Sequence, residues 1–175
     1  DILSVRHGPR NLPVYRYSSR DLSYAAKSII NSGYDTLGLS IELSDEGQVK
    51  ALAFATVEEV YHISFKNLTP GGKRPGKDLS FFNLLSGRRG LLAGFSMARI
   101  ALHMHRELGY HVSGIDLSTL FSKSTRCPWY PAKFLSMKVD PDVDSFRVND
   151  LWCRNSEDEL EALERMCLKA WISAK

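Results

Sequence analysis

The sequence predicts an α/β domain: a mixed β-sheet with an antiparallel three-strand meander and flanking helices. Three observations carry this reading. Between residues 37 and 65 three strand-like runs follow one another across short turns, a spacing that permits only antiparallel neighbours. From residue 79 onward apolar runs of helix and strand type alternate, which puts helices on the faces of a sheet. The length of 175 residues fits one domain, and 43% apolar with 25% charged residues is ordinary for a globular chain.

In chain order, residues 1–13 read as a lead-in segment, with Pro9 and Pro13 and little periodicity, before a single domain over 14–175. Val14 to Tyr17 alternates as a short strand. Ser19 or Asp21 then caps a helix to Ile30, whose Leu22, Ala25, Ala26, Ile29 and Ile30 share a face. The meander follows as Leu37–Leu43, Val49–Thr56 and Val60–Phe65. Residues 70–77, rich in Pro, Gly and Lys, form a basic loop. Leu79–Leu85 is a short helix, Leu91–Phe95 a buried strand, and Ser96 caps a helix from Met97 to Leu108 that Gly109 ends. Val112–Leu117 reads as a further short strand, and Leu117–Phe121 turns helical. Prolines 128, 131 and 141 leave 122–150 irregular. The last helix spans Ser156–Ile172, with Leu160, Leu163, Cys167 and Trp171 along one stripe and Glu157, Asp158 and Glu159 in its first turn.

Composition excludes several function classes. No run of 18 apolar residues exists, so no spanning helix is expected. Net charge is only +3, from 23 basic and 20 acidic residues, too slight to announce a nucleic-acid binder by itself. Cys127, Cys153 and Cys167 form no C-x-x-C pair, which argues against a disulfide framework or zinc site. They point to a reducing intracellular compartment, nucleus or cytoplasm rather than secretion. The first residues lack the basic-then-apolar pattern of a signal peptide, and a start at Asp1 suggests a piece of something longer.

Several segments together resemble one family. Asp21–Ala26 with Leu37–Leu43, then Gly47–Phe65, Phe81–Leu85 with Leu91–Ser96, Leu108–Leu117 and Trp152–Leu160 are similar, in order and spacing, to the 3′–5′ exonuclease domains of the ribonuclease D and Werner type. The resemblance covers roughly residues 14–172 and implies a ribonuclease H-like fold. It also implies a site where four carboxylates hold two divalent metals while a Tyr or His orients the attacking water. Carried over by position, the Asp-x-Glu of the first strand falls on Ser40 and Glu42. The second motif's Asp falls on Ile100, and the last helix's Tyr and Asp fall on Ala162 and Met166. One carboxylate of four is kept. A shifted register of the last helix would offer Glu161, Glu164 or Arg165 instead. Strand alternation places Ser40 and Glu42 on one face, as the motif requires.

The expected function is therefore a catalytically inactive exonuclease-like module, a pseudoenzyme binding protein, RNA or both in a larger RNA-handling protein. The alternatives are an active metal-dependent 3′–5′ exonuclease with displaced ligands, or a dimerisation domain without nucleic-acid contact. No metal, cofactor or membrane is expected. Lys73, Arg74, Lys77, Arg88 and Arg89 flank the helix at 79–85 and read either as a phosphate-facing patch or as a solvated loop. Trp129 and Tyr130 read as packing residues, a protein contact or a stacking platform. Asp116 reads as a cap for the following turn. His103 and His105, two apart on a helix, point in different directions and make no zinc pair. Ser40, Ser96 and Ser118 lack His–Asp partners at a legible spacing, and the loop with Gly71, Gly72 and Gly76 lacks P-loop spacing. The helices at 97–108 and 156–172 are expected to face the same end of the central strand carrying Ser40.

Overall fold

The computed structural model describes residues 2–7, 10–65, 78–122, 152 and 158–175, with side chains described for 11–65, 78–120, 152 and 158–175. Its strands are β1 (Ile2–His7), β2 (Arg10–Ser18), β3 (Thr36–Leu43), β4 (Val49–Ala55), β5 (Val60–Ser64), β6 (Leu91–Gly94) and β7 (Ile115–Asp116). Its helices are α1 (Leu22–Asn31), α2 (Leu79–Leu85), α3 (Met97–His103, prolonged by a π turn over Met104–Leu108), α4 (Leu117–Ser122) and α5 (Glu159–Ala174). The strands form one mixed sheet in the order β1-β2-β5-β4-β3-β6-β7.

The meander stands where alternation predicts it, and local chemistry explains its turns. Gly47, at φ 76°, closes the β3–β4 turn by donating to Ser44 O at 2.9 Å. Buried Thr56 closes the β4–β5 turn: its Oγ1 accepts from Glu58 N at 3.2 Å and Glu59 N at 3.1 Å. β6 joins β3 in parallel, which leaves β3 interior to the sheet, with β4 on its other side.

Four elements differ from the sequence reading. Ile2–His7 and Arg10–Ser18 form an antiparallel hairpin at the sheet edge rather than a lead-in, and β2 also pairs with β5 in parallel. Pro13, which lacks an N–H, falls just before the Val14–Ser18 stretch that pairs with β5. Ser18, not Ser19 or Asp21, caps the first helical turn, in a reciprocal capping box with Asp21. Only Ile115 and Asp116 of the stretch 112–117 join the sheet, because Ser113 N instead donates to Leu85 O at the end of α2. In α5 the first turn overhangs: Leu160 is 64% exposed while Leu163, Cys167 and Trp171 are buried.

The sheet separates two apolar layers. α1, α2 and α3 cover one face, packing Ala25, Ile29, Phe81, Leu84, Ile100 and Met104 onto Leu37, Leu39, Leu52, Phe54 and Ile63. α5 alone among the described helices packs into the other layer, where Ala51, Ala53 and Ala55 of β4 meet Leu163, Met166, Cys167, Ala170 and Trp171. Residues at period two on β3 divide the same way, so Gly38 and Ser40 continue the small-residue strip under α5. The contact is close. A Cβ placed on Gly38 would stand 1.8 Å from Ala170 O and 2.7 Å from Ala174 N.

Two further interactions hold α5. Asp158 caps it by accepting from Leu160 N at 2.8 Å, and Trp171 Nε1 donates to Val57 O at 3.0 Å. Since Val57 follows β4 and Ala170 lies over Gly38, the C-terminal half of α5 sits at the start of β3. From there the helix packs across β3 and β4, with Met166 and Leu163 in the layer of Ala51, Ala53 and Ala55. Fully burying side chains such as Met166, Trp171 and Ile172 contributes about 2 kcal/mol each.

Gly38→Ala forces its methyl into the α5 backbone, which no rotamer change relieves. We expect it to destabilise the fold by about 3 kcal/mol, read from the urea midpoint. Gly33→Ala, at φ 75° with nothing within 4 Å, should cost only about 1 kcal/mol.

The pH dependence follows from the same seat. Burial under α5, reinforced by the Glu164 charge, pushes the Cys167 thiol from near 9 up to about 12. Its protonated form is the one the fold keeps, so its contribution is fully present below about pH 9. It is lost as pH rises from about 9 toward about 12, where the unfolded chain ionises first. Urea titrations between pH 9 and 11 should show stability falling, by up to about 1.4 kcal/mol per pH unit from this thiol. Cys167→Ala should make that decline shallower.

Candidate functional site

The positions that the family resemblance singles out converge only in part. Ser40 (7% exposed), Glu42 and Met166 (3% exposed) share the α5 side of β3, with half-buried Ala162 near the end of the strand. Ile100 (2% exposed) packs into the opposite layer with Met97 and Met104, across the sheet. α3 begins just past β6, at the end of β3 that carries Glu42, but its body lies on the face away from α5. The expected common end is thus met by the start of α3 while its Ile100 side chain turns away.

Burial shows which side chains of α5 face the sheet. Leu163, Met166, Cys167 and Ala170 face the sheet, Glu161 is exposed, and Glu164 and Arg165 lie on the flanks. Beside Ser40 the site is apolar and aromatic. Phe95 follows Gly94, the partner of Leu39, and meets Trp152 edge to face at 5.4 Å between ring centres. The Lys169 ammonium lies 5.5 Å over that indole. A bulge between Glu42 and Leu43 shifts the pairing with β4 beside the Glu42 carboxylate.

These residues do not fit a pair of divalent metals. Such ions require several anionic oxygens each, and burying a dication against Met166, Ala53 and Phe95 with one carboxylate would leave its charge uncompensated. Among the described residues no group of three or more His, Cys, Asp or Glu side chains stands together.

Asp116 does more than sequence reasoning assigned to it. Its Oδ1 accepts from Ser118 N at 3.0 Å, the expected cap, and its Oδ2 accepts from Met97 N at 2.8 Å. Ser96, the expected cap of α3, sits at φ 58° and makes no side-chain capping bond, so the carboxylate from β7 takes that role. Both oxygens are thereby committed to tying α3 to α4. Nearby, an open groove of about 560 Å³ is lined by Met97, Ala101, Val112, Ile115 and Leu120 together with the polar Ser113, Asp116 and Thr119.

Of the basic residues, Arg88 and Arg89 are exposed just past α2, and the Arg88 guanidinium lies 5.8 Å over the Phe82 ring. Lys73, Arg74 and Lys77 lie outside the described residues, as do Trp129 and Tyr130. Among the described residues no helix is long and apolar enough to cross a membrane.

No protein-family model matches the chain, and no curated protein does. Solved structures do. The chain is similar to the Aedes aegypti Nibbler EXO domain, with a TM-score of 0.60 at 16% identity over 91% of this chain and 83% of that one. It is similar to the EXD2 exonuclease domain soaked in Mg and GMP, with a TM-score of 0.51 at 19% identity over 91% and 84%. It is also similar to Escherichia coli RNase D, an exoribonuclease involved in structured RNA processing, with a TM-score of 0.63 at 12% identity. That match covers 90% of this chain but only 42% of RNase D. At such identities the likeness is one of fold: the chain shares with these structures a mixed sheet, an antiparallel meander and flanking helices of the ribonuclease H-like type.

Proposed function

We propose that the chain is a catalytically inactive exonuclease-like module, serving as a protein- or RNA-binding scaffold within a larger RNA-handling protein. What supports this reading is the apolar packing at the positions carried over from the resemblance. Ser40 and Met166 are buried, Ile100 is turned into the opposite layer, and Phe95 and Trp152 pack alongside. Phosphodiester hydrolysis in this fold depends on metals that stabilise both the attacking and the leaving oxygen. One half-buried carboxylate, Glu42, supplies too little charge to hold them. An active enzyme with displaced ligands would need acidic side chains turned inward, and the nearest in α5, Glu161 and Glu164, stand outside the buried stripe.

Purified protein incubated with Mg²⁺ or Mn²⁺ and 5′-labelled single-stranded RNA or DNA should trim neither above a no-enzyme control. Trimming that disappears in Glu42→Gln would overturn the proposal.

For the binding role, fold likeness to nucleases supports contact with a nucleic-acid backbone, and the available groups are basic rather than base-reading. Lys73, Arg74, Lys77, Arg88 and Arg89 are the proposed phosphate-facing set. Each contact contributes about 0.7 to the slope of log K against log salt for a single strand. Replacing all five by Ala should flatten that slope by at most about 3.5. An unchanged slope and affinity would show these side chains to be merely solvated, and would favour a protein partner at Trp129 and Tyr130. Light scattering of the free chain reads out a homodimer directly.

A further inference from the structure

Two imidazoles that share no helical register stand together at the far end of α3. His105 lies in the π turn Met104–Leu108, and His111 lies just past Gly109, whose φ of 73° reverses the chain. Their ring centres are 4.8 Å apart and their planes inclined by 36°. Both side chains are exposed. The backbone beneath them is firmly anchored. Met104 and Leu108, on either side of His105, are 0% and 3% exposed, and Tyr110, next to His111, is fully buried. The Tyr110 ring meets Phe81 edge-on at 5.1 Å, and its hydroxyl accepts from Asp78 N at 3.1 Å.

The pair that sequence spacing considers, His103 with His105, does not form. His103 turns toward the β3–β4 turn, its Cε1 lying 3.7 Å from where a Gly47 Cβ would stand. Arg106 and Glu107, between the two facing histidines, are occupied with each other at 2.8 Å, and Arg106 also donates to Gly47 O at 3.2 Å.

The ring separation is compatible with two imidazoles around a single metal ion. With metal–nitrogen bonds of about 2.1 Å and angles near 95–110° at the metal, ring centres fall roughly 4.7–5.2 Å apart. We propose that His105 and His111 form a surface site for a transition-metal dication of the zinc, nickel or copper class, for which neutral imidazole is a preferred ligand. The site is separate from the vestigial metal positions at Ser40 and Glu42. Among the described residues no third ligating side chain joins the pair, so water completes the coordination. The H-x5-H spacing and the rigid support place the two ligands in advance, which favours chelation over binding at scattered histidines.

Calorimetric titration of the whole chain with NiCl₂ tests this. The expected result is one saturable site whose affinity drops more than about tenfold in His105→Gln and in His111→Gln. His103→Gln should leave it unchanged, and all three variants should keep the parent circular dichroism spectrum and melting temperature. Absence of saturable binding would overturn the proposal, as would binding that survives both substitutions.

Discussion

The backbone of α5 meets the backbone of β3 at Gly38, and the arrangement of that whole face follows from the contact. Only a residue without a Cβ lets Ala170 O and Ala174 N come so near. Ser40, Ala51, Ala53 and Ala55 keep the rest of the strip low, so the helix packs closely onto β3 and β4. Trp171 then reaches past the strip to bond Val57 O, and Cys167 is sealed beneath. A protein interior is packed as densely as a crystal, so a helix seated this way has one axial position and one rotation.

That seat decides what stands at the end of the central strand. With Ala170 over Gly38, Met166 and Leu163, one and two turns back, pack against the same small-residue strip. These helix positions bring a thioether and an isobutyl group to the sheet, so the burial that holds the helix also makes this face apolar. The same fold keeps its other face conventional, with Asp116 tying α3 to α4 through both carboxylate oxygens.

Most of the fold was legible because it rests on strong periodicity. The meander alternates cleanly between Leu37, Leu39, Leu52, Phe54 on one side and Gly38, Ser40, Ala53, Ala55 on the other. The hairpin of β1 and β2 was not legible, because Arg6, His7, Pro9 and Arg10 break any alternation and an edge pair has no two-sided burial to impose one. A glycine inside a strand pattern signals either a bulge or a close approach, and at Gly38 nothing local distinguishes them. The π turn after α3 adds a residue per turn that propensity does not reveal. The reversal at Gly109 then brings His111 to His105, six residues back, in a pairing outside the three- and four-residue helical neighbours. For the site, identity of the vestigial positions came from ordered resemblance, whereas the turning away of Ile100 is a tertiary fact. Asp116 was readable as a local cap but not as the cap of a helix nineteen residues earlier.

The central proposal is that the face of β3 beside Glu42, covered by α5, holds no metal pair. Anomalous diffraction from crystals soaked in MnCl₂ tests it most directly, because it locates bound manganese without relying on turnover. The account predicts no anomalous peak within coordinating distance of Glu42 or Ser40, with Met166 and Phe95 in contact with the sheet. A peak bound by Glu42 would contradict it, all the more if α5 had moved to bring Glu161 or Glu164 toward the ion.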